Sequence, residues 1–71
     1  MRYTIKDHAF QRLRERKIEL EEIEQILAKG QKWYSNTDHR WHAKMSGIEV
    51  VFEYKEEDEI EVITCFFDKV D

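Results

Sequence analysis

A histidine and two arginines stand four residues apart in His8-Ala9-Phe10-Gln11-Arg12-Leu13-Arg14-Glu15-Arg16. On a helix that spacing sets all three along one stripe. Guanidinium groups grip phosphate oxygens in pairs, and an imidazole exchanges a proton near neutral pH. His8, Arg12 and Arg16 are thus candidates for an anion site with an acid/base group beside it. A second basic run, His39-Arg40-Trp41-His42-Ala43-Lys44, interleaves cations with aromatic surface, as single-stranded nucleic-acid sites do. It offers Arg40 and Lys44 as phosphate ligands and His42 as a second proton-handling group.

Both runs also have scaffold readings. Arg12 and Arg16 are spaced to pair with Glu15, Glu19 or Glu22, and Arg16 complements the negative end of a helix dipole. Glu49 and Glu53 are expected across the hairpin from Lys44 and Arg40. His8, Asp38, His39, His42 and Cys65 are all metal-ligand types. His39 and His42, however, are three apart on an expected strand and face opposite ways, so no metal site is expected. Two glycines form no phosphate-cradling loop, and no cofactor is expected. Cys65 within a strand reads as a small core hydrophobe.

The elements that must carry these residues follow from periodicity. Residues 7–17 read as a helix capped by Asp7, with Ala9, Leu13 and Phe10 on one side. Stepping about 100° per residue puts Arg12 and Arg16 roughly 40° and 80° from His8, so the stripe borders the buried face. A second helix spans 19–29, with Leu20, Ile23, Ile26 and Leu27 on one face. Lys29-Gly30 ends it with a cation and a residue free to take positive φ.

After Gly30 the period changes to two, predicting three or four strands at 32–35, 39–45, 48–55 and 60–67. Ser46-Gly47 as a two-residue hairpin loop pairs Met45 with Ile48. One face then holds Met45/Ile48, Ala43/Val50, Trp41/Phe52 and His39/Tyr54, and the other Lys44/Glu49, His42/Val51 and Arg40/Glu53. The acidic run Lys55–Glu59 makes the next turn and leaves the register of the last strand open. That strand is apolar on both faces while helices can cover only one, which makes Val51, Phe66 and Phe67 candidates for a partner or self-association surface. The architecture expected is α+β: two N-terminal helices on one face of a three- to four-stranded antiparallel meander sheet.

The chain of 71 residues makes one domain, 1–71. Its net charge of −4 argues mildly against nucleic-acid binding, for which a basic domain is the usual footprint. That charge is segregated, however: residues 1–17 and 32–47 are basic and hold every histidine, whereas 18–31 and 48–71 are acidic. A lone cysteine, no signal-peptide pattern and no membrane-length apolar run lead to the expectation of a cytoplasmic protein.

His8-Ala9-x-x-Arg12-x-x-x-Arg16, Ile18, the acidic helix Glu21-Glu22-Ile23-Glu24-x-Ile26-Leu27 ending at Gly30, and Val62-Ile63-Thr64 together resemble a bacterial family of small domains. That family opens on a His-Ala-x-x-Arg helix and is similar in architecture to the RelE/ParE and BrnT-like toxins of type II toxin–antitoxin systems. Where it carries Gly-Ile-Ser between its helices, this chain has Lys17-Ile18-Glu19. The resemblance implies a RelE/ParE-like fold and metal-independent RNA cleavage, with attack of a ribose 2′-OH on the adjacent phosphate. His8 would be the acid/base group, Arg12 and Arg16 the phosphate ligands, and Thr64 a matching residue without an assigned role. An antitoxin, RNA or the ribosome, and a homodimer are the partners implied. Two other readings stand beside the endoribonuclease: a non-catalytic toxin-like interaction module, and a gyrase-binding poison of the ParE kind.

Overall fold

The computed structural model describes residues 2–56 and 58–68. In chain order the elements are β1 (Arg2–Ile5), α1 (Asp7–Arg16), α2 (Leu20–Lys29), β2 (Gln31–Ser35), β3 (Arg40–Met45), β4 (Ile48–Glu56) and β5 (Glu59–Phe67). They form one sheet in the order β1-β5-β4-β3-β2. Strands β2 to β5 are the expected antiparallel meander, but β1 adds a fifth strand, parallel to β5, with Tyr3 opposite Ile60 and Ile5 opposite Val62. The sheet is therefore mixed and not purely antiparallel. A parallel neighbour needs a long crossover, which the two helices and the meander supply.

The hairpin register agrees with the sequence expectation from Met45↔Ile48 to Trp41↔Phe52. Ser46 and Gly47 turn it with φ of 54° and 80°, the pair of positive values that a tight two-residue loop requires. His39 does not extend β3. It sits in the preceding turn with φ 58°, so the expected His39/Tyr54 pair is absent. The expected turn at 55–59 is shorter than read, with β4 running to Glu56 and β5 starting at Glu59; Glu57 lies outside the described residues.

A bulge resolves the last strand. Val51 pairs with Thr64 but Phe52 pairs with Val62, so Ile63 is an extra residue in β5. Val62 and Cys65, three apart, both reach the core face and are fully buried there, which a regular strand forbids. The core joins Ala9 and Leu13 of α1, Ile18, and Ile23, Ile26 and Leu27 of α2 to Ala43, Val50, Phe52, Val62 and Cys65 of the sheet. Phe10 and Leu20, expected on the buried helix faces, are 45% and 43% exposed.

Helix termini also differ in detail. Lys6 occupies the N-cap of α1 and Asp7 lies in its first turn, where its charge favours the dipole without a capping hydrogen bond. Lys17 ends α1 in the left-handed region, φ 56° and ψ 39°, supplying the turn that glycine would ordinarily make. Gly30 is extended at φ −68° and does not use positive φ. Its requirement is space: a Cβ there would lie 2.5 Å from the Ile26 carbonyl oxygen and 3.0 Å from that of Lys44.

Candidate functional site

The sheet separates the two basic constellations. Helix α1 packs on the face that carries Val50, Phe52 and Cys65, whereas the alternation of β3 turns Arg40, His42 and Lys44 to the opposite, open face. His8, Arg12 and Arg16 therefore do not converge with His42 into one site.

On α1, His8 is exposed and has no hydrogen-bond or ion-pair partner among the described residues. Arg12 Nη1 lies 2.8 Å from Glu15 Oε1, a partly exposed pair one helical turn apart. Arg16 Nη1 donates to the Cys65 backbone carbonyl at 2.8 Å. β1 pairs only with Glu59–Val62, so this guanidinium serves a carbonyl on the part of β5 that β1 leaves bare. Both arginines are thus engaged inside the molecule. Beneath Arg16, burial pushes the Cys65 thiol up while the guanidinium charge pulls it the other way, with a net rise.

On the open face, His42 is 9% exposed and has a carboxylate at each ring nitrogen: Glu49 Oε2 is 2.7 Å from Nδ1 and Asp38 Oδ2 is 3.0 Å from Nε2. The indole of Trp33 stacks on it with centroids 5.3 Å apart and planes 14° from parallel. Glu49 faces Lys44 in the register yet reaches diagonally to His42, and Lys44 instead pairs with Asp68. The expected Arg40–Glu53 pair is present, Nε to Oε1, at 3.3 Å. Lys55 bridges Glu53 at 3.6 Å and Glu61 at 3.0 Å, and these carboxylates raise its ammonium above the ordinary lysine value. Each of Arg40, His42 and Lys44 thus faces a carboxylate, and the face is neutralised from within.

Asp38 belongs to a turn that its own chain stiffens: its Oδ1 accepts the Arg40 amide at 3.1 Å, the Thr37 amide donates to Ser35 Oγ, and the His39 amide donates to the Ser35 carbonyl. Desolvation raises the Asp38 carboxyl, but the hydrogen bond and charge of His42, with Ser35 and the Arg40 amide, outweigh it and hold it below the usual aspartate value. Sequence reasoning missed Trp33, and it placed Asp38 and Glu49 in other roles. Glu49 reaches diagonally to His42 while Asp68 engages Lys44, contacts no strand register reveals.

Thr64 is half-buried beside the bulge on the open face, opposite Val51. Val51 is only 4% exposed, so of the three expected surface residues it is closed off by its own neighbours. Phe66 is half-buried and Phe67 is 50% exposed. Among the described residues, no group of three His, Cys, Asp or Glu side chains is arranged to hold a metal ion. Nor is any described helix long and apolar enough to cross a membrane.

These features define a small α+β domain, two helices on a five-stranded mixed sheet, with an exposed imidazole on its first helix and a carboxylate-bound one on its open face. A family pattern described as "Domain of unknown function (DUF4258)" matches residues 5–67, and the chain belongs to that family. No curated protein and no solved structure gives a significant match.

Proposed function

We propose that this chain is a toxin-like protein of the RelE/ParE kind that works by binding another protein, with the half of β5 that β1 leaves without a strand neighbour, where Arg16 caps the Cys65 carbonyl, as its docking edge. The observation that carries this reading is the mismatch between β1 and β5. Among the described residues, Ile63–Phe67 have a strand neighbour on the β4 side only, and Phe67 stands half exposed at the end of that segment. Unpaired strand edges accept an added strand through backbone hydrogen bonds, while side-chain pockets select its sequence.

Charge favours a different chain over a second copy. Arg16 reaches this edge from the end of α1 and Lys17 follows it in the chain, so an acidic extended segment complements it. Two copies paired through a twofold at Cys65 would instead bring two Arg16 guanidiniums together. An antitoxin with an acidic segment, a partner class implied by the His-Ala-x-x-Arg resemblance, fits this chemistry.

The endoribonuclease reading retains one favourable observation: His8, one helical turn before Arg12, is exposed and has no side-chain partner among the described residues. Static light scattering on the purified chain, alone and co-expressed with the product of the adjacent gene, tests the binding reading. A 1:1 complex that Phe67→Glu disrupts supports it. A chain that stays monomeric in both preparations overturns it. Growth arrest with RNA cleavage, lost in His8→Ala/Arg12→Ala, moves the assignment to the nuclease; arrest with intact RNA moves it to a gyrase-type target.

A further inference from the structure

A carboxylate only accepts hydrogen bonds, so the contacts at both nitrogens of His42 are hydrogen bonds only when both nitrogens carry protons. A neutral imidazole has one N–H and must turn a lone pair toward the second carboxylate. The two partners are not equivalent. Glu49 projects from the central strand β4 with its side chain 13% exposed, and its contact is the shorter at 2.7 Å; Asp38 sits on a surface turn with its side chain 43% exposed. When one proton is lost, the contact that opens is the one whose carboxylate can move into water.

We propose that His42 is a proton-controlled latch: doubly protonated, it clamps the β2–β3 turn, residues 36–39, against the open face, and loss of one ring proton releases Asp38 while Glu49 stays on Nδ1. The surroundings leave the charge of the ring answerable to these two carboxylates. Along β3 the flanking cations Arg40 and Lys44 are engaged by Glu53 and Asp68. On β2 the neighbours are the uncharged Gln31 and Trp33; β4 presents Val51 between Glu49, which holds the ring, and Glu53, which holds Arg40; and β5 presents Thr64 and Phe66, with Glu61 farther along the same face engaged by Lys55. The near-parallel indole of Trp33 covers one side of the ring and fixes its plane. In the released state Nε2 faces solvent with Glu49 behind Nδ1, the orientation of a proton acceptor.

The experiment follows two signals in one sample of the whole chain by NMR from mildly acidic to alkaline pH. One is the titration of the His42 ring; the other is the heteronuclear NOE of the Thr37, Asp38 and His39 amides, which reports local order. The expected result is a loss of order in the turn with the same midpoint as the ring titration. Asp38→Asn supplies a side-chain amide that can accept from an N–H or donate to a bare nitrogen, so this turn should stay ordered throughout. His39→Asn keeps a residue tolerant of positive φ and removes the turn's own imidazole, and it should leave the midpoint unchanged. A native turn that remains ordered through the His42 titration overturns the latch, as does an opening abolished by His39→Asn or unchanged in Asp38→Asn.

Discussion

Arg16 Nη1 and the Cys65 carbonyl oxygen, 2.8 Å apart, tie the end of α1 to the part of β5 that β1 does not cover. The bond is charge-assisted and partly buried, so truncating its donor leaves a strand carbonyl without its partner. Arg16→Ala should cost about 1–3 kcal/mol. In a domain of this size that lowers the thermal midpoint by roughly 4–8 °C per kcal/mol. Arg12→Ala removes only an exposed pair on one helix and should stay within about 1 kcal/mol. Thermal denaturation followed by circular dichroism separates the two; equal midpoints would deny Arg16 its structural role.

Substitutions at Lys17 and Gly30 should act in opposite directions. Lys17 holds a left-handed conformation that disfavours any side chain with a Cβ, so Lys17→Gly should stabilise by up to about 1 kcal/mol, the strain relief being partly offset by unfolded-chain entropy. At Gly30 the backbone is relaxed, but an added Cβ would meet two backbone carbonyl oxygens at 2.5 and 3.0 Å. Gly30→Ala should therefore destabilise by about 1–3 kcal/mol, as overpacking does. Urea midpoints for both variants check the signs.

These two residues also mark where sequence reading works and where it stops. The end of α2 at Gly30 was legible because glycine and a preceding lysine punctuate helices, but the need proved to be room beside Lys44, a residue distant in sequence. The β3–β4 register was legible from Ser46-Gly47 alone, since a two-residue loop fixes every pair behind it. Strand β1 was not, because a four-residue edge strand offers only Tyr3 and Ile5 as inward positions. In β5 the bulge at Ile63 breaks the period that reading relies on. The stripe was legible as a stripe; that Arg16 would reach the Cys65 carbonyl depends on β1 being shorter than β5, which no spacing within α1 records.

On the acid side, Asp38 should make stability pH-dependent. Its folded carboxyl lies below the usual aspartate value, so while His42 keeps both ring protons its contribution is fully present above the unfolded value of about 3.9 and is lost as pH falls through the lower folded one. Asp38→Asn has no such titration. Plotted against pH, the difference in stability between the native chain and Asp38→Asn should shrink on acidification; a constant difference would mean that the contacts of the ionised carboxylate with His42, Ser35 and the Arg40 amide together contribute nothing.

The thiol of Cys65 reports on the same edge as Arg16. It is fully buried and pushed above its ordinary value, and only the thiolate attacks an alkylating reagent, so the folded chain should react far more slowly with iodoacetamide than the unfolded one. Arg16→Ala then distinguishes two routes to reaction. If the thiol reacts within the folded state, removing the guanidinium withdraws a charge that favours thiolate and the rate falls or stays level. If it reacts only when the domain opens, the rate rises about tenfold for every 1.4 kcal/mol of stability lost. With Cys65 of the bulged strand fully buried in the core that α1 covers, the second outcome is expected, and rates measured alongside the urea midpoints would show whether reactivity and stability move together.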